Sequence, residues 1–153
     1  MAEEKALVLI KPDAVAKRLA GNVITDLYNL NLKMVGLKLV NVKRELAEKH
    51  YWDIPEKHGP EVFEKLIKHI TGELHNNENV IAIVYQGENA IKKIRGAAGK
   101  THPEKADFCT IRGKYGRVNS ETDCFENIIH ASDSPENAEK EIKLWFDENE
   151  LVD

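Results

Sequence analysis

Ala6-Leu7-Val8-Leu9-Ile10 is the stretch whose reading decides the fold. Five apolar residues in succession, with no polar alternation, suit a short strand buried on both faces. Lys11-Pro12-Asp13 follows and breaks it, because proline cannot donate to a ladder. Val80-Ile81-Ala82-Ile83-Val84-Tyr85 repeats the pattern and reads as another buried strand. Between them Val35, Leu37 and Leu39 alternate with other residues, which suggests a strand of period two. Residues 127–130 supply the fourth, ending on a histidine.

Helical spacing fills the intervals. From Leu19, the residues Val23, Ile24, Leu27 and Leu30 recur on one face. Residues 46–51 read as a short helix, and Val62, Phe63, Leu66, Ile67 and Ile70 form a clear stripe. Ala90, Ile91, Ile94, Ala97 and Ala98 mark a helix begun near Glu88 or Asn89. Ser134 before Pro135 predicts a capped start for the last helix, with Ala138, Ile142, Trp145 and Phe146 on its buried side. Residues 72–79 are polar and read as a loop. Residues 99–123 show little periodicity, and a loop of that length in a small protein is usually functional. The alternation fits a four-stranded sheet covered by helices, without fixing strand order. No repeat or linker divides residues 1–153, so we expect one domain.

At 153 residues, 42% hydrophobic and 31% charged, the chain carries enough apolar material for a core. A formal net charge of −4 supplies no broad basic face, so nucleic acid is not an expected partner. No apolar run is long enough to span a bilayer, and the start Met1-Ala2-Glu3-Glu4-Lys5 is unlike a secretory signal, so no membrane is expected. Cys109 and Cys124 are too few for a disulfide framework. A reduced, cytoplasmic protein is the simplest expectation.

Glu141 falls on the buried stripe of the last helix, where a carboxylate must be satisfied. Two readings stand level: it reaches solvent at the stripe's edge, or it accepts a ring proton from His130 and fixes the tautomer. Of the remaining histidines, His50, His58, His69, His75 and His102, none is spaced with a cysteine as in zinc sites, and His58 and His75 lie in polar, solvated stretches. On residues alone, a structural role for His130 serves as well as a catalytic one. Lys11 at a strand end suits a phosphate, although by itself a snorkelling lysine is the commoner case. Arg95 and Arg112 carry forks that match phosphate oxygens, against the commoner fate of a surface ion pair. No glycine-rich phosphate loop is present, so side chains must handle any phosphate.

Lys11-Pro12-Asp13-Ala14-Val15, His50-Tyr51, Gly87-Glu88-Asn89-Ala90, Thr110-Ile111-Arg112-Gly113, Asn127-Ile128-Ile129-His130-Ala131-Ser132-Asp133-Ser134 and Ala138-Glu139-Lys140-Glu141-Ile142 together resemble the motifs of the nucleoside diphosphate kinases. The match runs in order over residues 6–146, and the segment around His130 is its most specific part. The resemblance implies an α+β, ferredoxin-like βαββαβ fold with a four-stranded antiparallel sheet. It implies ping-pong exchange of the γ-phosphate between nucleoside triphosphates and diphosphates, with broad base acceptance. His130 would be the nucleophile, and Glu141 and Ser132 would hold its ring. Lys11, Tyr51 and Asn127 would lie around the transferred phosphate and ribose, with Arg95, Thr101 and Arg112 on the other phosphates. Mg²⁺ would arrive on the nucleotide, with no protein ligand assigned to it. Homotrimers or homohexamers are typical of the family.

This chain departs from that pattern at three places. Where the family stacks an aromatic on the base, Phe63 is the nearest candidate, yet counting back from Leu66 puts Val62 there. Residues 72–79 and 114–126 are longer than usual, and Phe125-Glu126 replaces the usual glycine before the arginine–asparagine step.

Overall fold

The computed structural model describes residues 3–152. The elements run β1 (Glu3–Ile10), α1 (Pro12–Ala16), α2 (Ala20–Tyr28), β2 (Lys33–Asn41), α3 (Arg44–His50), α4 (Ile54–His58) and α5 (Pro60–Ile70). They continue as β3 (Asn79–Glu88), α6 (Ala90–Ala98), α7 (Ile111–Tyr115), β4 (Arg117–Asn119), β5 (Cys124–Glu126), β6 (Ile129–Ala131) and α8 (Pro135–Trp145). The main sheet has the order β2-β3-β1-β6 with every pairing antiparallel, the ferredoxin-like arrangement.

β1 is central, which explains its unbroken apolar run. Ala6, Val8 and Ile10 enter the core beneath α2 and α6, while Leu7 and Leu9 enter a second core with Ile67 and Ile70 of α5 and Ile142 and Trp145 of α8. All five strand residues are fully buried, so truncating Leu7 or Leu9 to alanine costs about 2–5 kcal/mol.

Four sequence expectations need correction. Lys11-Pro12-Asp13 ends β1 but also starts α1, since Pro12 takes the first helical position, where a missing N–H costs nothing. β2 forms, yet Leu37 and Leu39 face outward at 54% and 64% exposure, while Val35 is buried across a bulge between Met34 and Gly36. That extra residue flips the face presented further along the strand. Residues 99–123 are not structureless, because α7 and the β4 strand of a hairpin with β5 lie within them. The last strand spans Ile129–Ala131 and not 127–130. Ile128 has φ +73, and Ile129 N–H donates to the Asn127 carbonyl at 2.8 Å, a γ-turn that keeps Asn127 out of the ladder.

Among the described residues no helix is long and apolar enough to cross a membrane.

Candidate active site

Loops at the end of the sheet where β1 finishes and β6 begins enclose a cavity of about 400 Å³. Its walls bring together Lys11, Tyr51, Arg95, Thr101, Arg112, Asn127, His130 and Glu141. Residues far apart in sequence converge because β1 and β6 are adjacent and α8 folds back over β1.

His130 sits in the middle of β6, opposite Leu9. Its Nε2 lies 2.9 Å from Oε1 of Glu141, whose Oε2 accepts from the Ser132 hydroxyl at 2.6 Å. Ser132 Oγ in turn accepts the Leu7 backbone N–H at 3.1 Å. The carboxylate is thus fixed at both oxygens. α8 delivers it because Ser134 caps the helix, accepting the Asn137 N–H at 3.2 Å, and Ala138, Ile142 and Trp145 bury the face beside it. A carboxylate can only accept, so Nε2 carries the proton and Nδ1 keeps its lone pair.

Behind this pair stands His50, at 8% exposure, edge-on to the His130 ring with centroids 4.5 Å apart. Trp145 Nε1–H donates to His50 Nδ1 at 3.2 Å, which puts the His50 proton on Nε2, a buried atom with no partner. Burial, the His130 ring and Lys11 push the His50 imidazole well below its ordinary value, so it stays neutral. Nothing in the sequence pattern of His50 beyond its place before Tyr51 signals this packing.

One nitrogen or oxygen from each of His50, His130 and Glu141 lies within 4.8 Å of the others, the spacing of a metal set. The Trp145 hydrogen bond protonates the His50 nitrogen that would have to ligate, and a nitrogen-rich set is a poor match to Mg²⁺, which demands oxygen.

Lys11 is buried and donates to Oδ1 of Asn127, whose amide donates to the Thr101 carbonyl at 3.0 Å. Burial pushes the Lys11 ammonium down, and Asp13 opposes that shift. Arg112 donates to three backbone carbonyls, those of Gly99 at 2.8 Å, Asn127 at 3.3 Å and Ile129 at 2.9 Å. Two of its five N–H groups stay free toward the cavity. Burial and then Arg95 lower its guanidinium to about 10. Burial raises the Tyr51 phenol, which therefore remains an O–H donor. Arg95 and Thr101 are exposed at the cavity wall.

Phe63 is not brought to the cavity. It packs against the core that holds Leu7 and Ile67, while Val62 is exposed and also off the cavity wall; Ile54, Leu66 and Trp52 line that side instead. The sequence reading of His75 as solvated is also corrected. Its side chain is 9% exposed and its ring lies 5.1 Å from that of His69. His69 itself lies on the apolar stripe of α5, 2% exposed, with Nε2 at 3.0 Å from Asp13 Oδ1 and Nδ1 at 2.9 Å from Cys124 Sγ. The sequence spacing hid this cysteine–histidine contact because it spans α5 and β5.

Comparison with known proteins gives a consistent result. Residues 4–151 match the family model described as nucleoside diphosphate kinase. A nucleoside diphosphate kinase of Clostridium perfringens is 44% identical over 143 residues, covering 94% of this chain and 91% of that protein. The transition-state mimic of the Borrelia burgdorferi nucleoside diphosphate kinase, with vanadate and ADP, superposes with a TM-score of 0.90 at 35% identity, covering 99% of this chain and 91% of that one. The Halobacterium salinarum enzyme in complex with CDP gives 0.86 at 37% identity, covering 99% and 93%.

Proposed function

The chain belongs to the nucleoside diphosphate kinase family, and from that premise we propose that it exchanges phosphoryl groups in two half-reactions through a phosphohistidine on His130. The observation that carries this reading is the Nε2–Glu141 hydrogen bond, which leaves Nδ1 unprotonated in a cavity lined by Lys11, Arg95 and Arg112.

In the first half-reaction the Nδ1 lone pair attacks the γ-phosphorus of a nucleoside triphosphate. The Nδ1–P bond forms as the bond to the β-phosphate oxygen breaks, and the nucleoside diphosphate leaves with that electron pair. The ring becomes cationic, and Glu141 offsets the charge without taking the proton. In the second half-reaction a β-phosphate oxygen of another diphosphate attacks phosphorus, and Nδ1 leaves with its lone pair restored. No proton is gained or lost overall. Lys11, Arg95 and the free N–H groups of Arg112 offset charge on the phosphate oxygens, as fixed cations held in place before the charge develops. Tyr51 donates from the cavity wall, and Asn127 keeps Lys11 in place.

Mg²⁺ fits as an ion carried by the nucleotide, because Asp133 and Glu141 on the cavity wall are already engaged by Asn137 and His130. When bound it neutralises charge on the phosphate oxygens. Broad base acceptance agrees with a wall of Ile54 and Leu66, which offers packing without a base-edge code. Residues 1–153 form one such domain in this reading. Self-association, as a homotrimer or homohexamer, is supported by β2, an edge strand with Leu37 and Leu39 uncovered. A cytoplasmic location agrees with Cys109 and Cys124 both being free.

Incubation with γ-³²P-ATP tests the mechanism. Acid-labile label is expected on the wild type and absent from His130→Ala, and an alanine variant that exchanges at full rate overturns the assignment.

A further inference from the structure

Below the cavity lies a second histidine–carboxylate pair that the transfer does not touch. Asp13, His69 and Cys124 are 0%, 2% and 6% exposed, so water does not compete for their hydrogen bonds. Asp13 Oδ1 faces His69 Nε2 at 3.0 Å, and Asp13 Oδ2 accepts the Ile128 N–H at 3.0 Å. His69 Nδ1 faces Cys124 Sγ at 2.9 Å.

We propose that His69 and Cys124 are positioning residues for phosphoryl transfer: with Asp13 they form one buried hydrogen-bonded chain that holds the γ-turn at Ile128, and through it His130. The inference rests on His130 as the nucleophile.

The chemistry of each group leaves one direction for the chain. Burial alone would raise the Asp13 carboxyl, but the His69 hydrogen bond, Lys11 and the Ile128 N–H hold it well below the usual carboxylate range. It is therefore ionised and can only accept, which places the His69 proton on Nε2 and makes Nδ1 an acceptor. Burial raises the Cys124 thiol, so sulfur keeps its hydrogen and donates. Cys124 S–H, His69 and Asp13 thus hand one polarity to the Ile128 amide. That amide needs a fixed partner, because a β-branched residue at φ +73 is a backbone outlier that its surroundings must impose. The Lys11 N–H on the Ile128 carbonyl, at 2.9 Å, holds the next peptide group, so the residue is gripped at both its N–H and its C=O.

The chain also reaches the stretch that departs from the family pattern. Cys124 opens β5, and two residues on Glu126 is buried and bonded by Lys17, Arg117 and Asn119. The hairpin is pinned by ion pairs at one point and reports to the nucleophile's turn at the other.

Hydrogen exchange at the Ile128 amide, read by NMR beside the sheet amides of Leu7 and Val84, separates positioning from general stability. His69→Phe keeps a ring and removes both hydrogen bonds. We expect Ile128 exchange to accelerate about tenfold or more while Leu7 and Val84 hold. The single-turnover rate of His130 phosphorylation should fall about tenfold, because small misplacements of a reacting atom are costly. ADP affinity should move less than about twofold. Cys124→Ala should act in the same direction and less strongly, and Cys124→Ser, which restores a donor, should recover most of the loss. This last pair carries the test if His69→Phe does not fold. Wild-type phosphorylation rates with a slow Ile128 amide overturn the proposal, as does Ile128 exchange that rises only in step with Leu7 and Val84. Failure of the nucleophile assignment would show separately, as label retained on His130→Ala, since the exchange measurement does not depend on activity.

Discussion

Two histidine–carboxylate pairs lie near the end of the sheet where β1 finishes and β6 begins, and they differ in one nitrogen. His130 meets Glu141 at 2.9 Å and His69 meets Asp13 at 3.0 Å, in both cases through Nε2. The His130 side chain is 24% exposed and its Nδ1 has no partner among the described residues. The His69 side chain is 2% exposed and its Nδ1 is closed by Cys124. The second oxygen of each carboxylate also differs in use, holding a serine hydroxyl in one pair and a backbone amide in the other. Pairing with a carboxylate therefore orients a histidine without making it reactive. In the mechanism we propose, reactivity comes from leaving Nδ1 open beside cations.

The largest break in this comparison is His130→Ala, which removes the open nitrogen of its pair. Exchange should drop by about 10⁴-fold or more, as when a nucleophile is lost elsewhere. The steady-state rate with ATP and GDP checks it. Glu141→Gln keeps the shape and an acceptor but loses the charge that offsets the imidazolium. A fall of about 10–100-fold in kcat is expected, with KM nearly unchanged, because the interaction strengthens only in the transition state.

Acid should weaken the Asp13–His69 side of the comparison, and the hairpin joined to it, through stability. Asp13 is held below the usual carboxylate range. Glu126 is drawn down to about 2, despite burial, by Arg117, Lys17 and Asn119. A depressed carboxylate contributes stability that is complete above its unfolded value and is lost as pH falls through the folded one. Both contributions are thus intact above about pH 5 and shrink as pH falls, that of Glu126 disappearing toward pH 2 and worth about 2 kcal/mol after solvent screening of its exposed partner Arg117. Urea unfolding between pH 6 and pH 3 measures this. In Glu126→Gln the slope should flatten, and an unchanged slope sinks the account.

How much of this was legible in the sequence follows from which signals are local. The apolar runs at residues 6–10 and 80–85 are readable because burial on both faces demands them. The Ser134 cap and the Glu141 position follow from helical spacing. Leu37 and Leu39 misled because a bulge reverses the face of a strand without altering its pattern. The γ-turn at Ile128 left no trace, since its positive φ falls on isoleucine rather than glycine and is imposed by Asp13, 115 positions away in sequence. His69 and Cys124 were invisible as a pair for the same reason. Phe63 was offered for base stacking only by resemblance, whereas its place on the apolar stripe of α5 already pointed to the core where it packs. The His130–Glu141 contact was legible because its motif is largely contiguous; the hydrogen-bonded chain beside it is assembled from α1, α5, β5 and the turn before β6.

The smallest expected effect sharpens the comparison most finely, because it separates the two oxygens of one carboxylate. Ser132→Ala leaves the His130–Glu141 bond in place and removes the hydroxyl that holds Glu141 Oε2 and accepts the Leu7 N–H. The Leu7 amide is fully buried, so its loss of a partner costs about 1–2 kcal/mol and lowers Tm by roughly 3–6 °C. The carboxylate remains oriented by His130 itself and by packing of α8, so the rate should fall only a few-fold. Stability should thus suffer more than catalysis in Ser132→Ala, and the reverse in Glu141→Gln. Calorimetry and steady-state kinetics on the same two variants decide it. If Ser132→Ala instead loses activity as heavily as Glu141→Gln, the hydroxyl is part of what fixes the tautomer, and the two oxygens of Glu141 act as one unit.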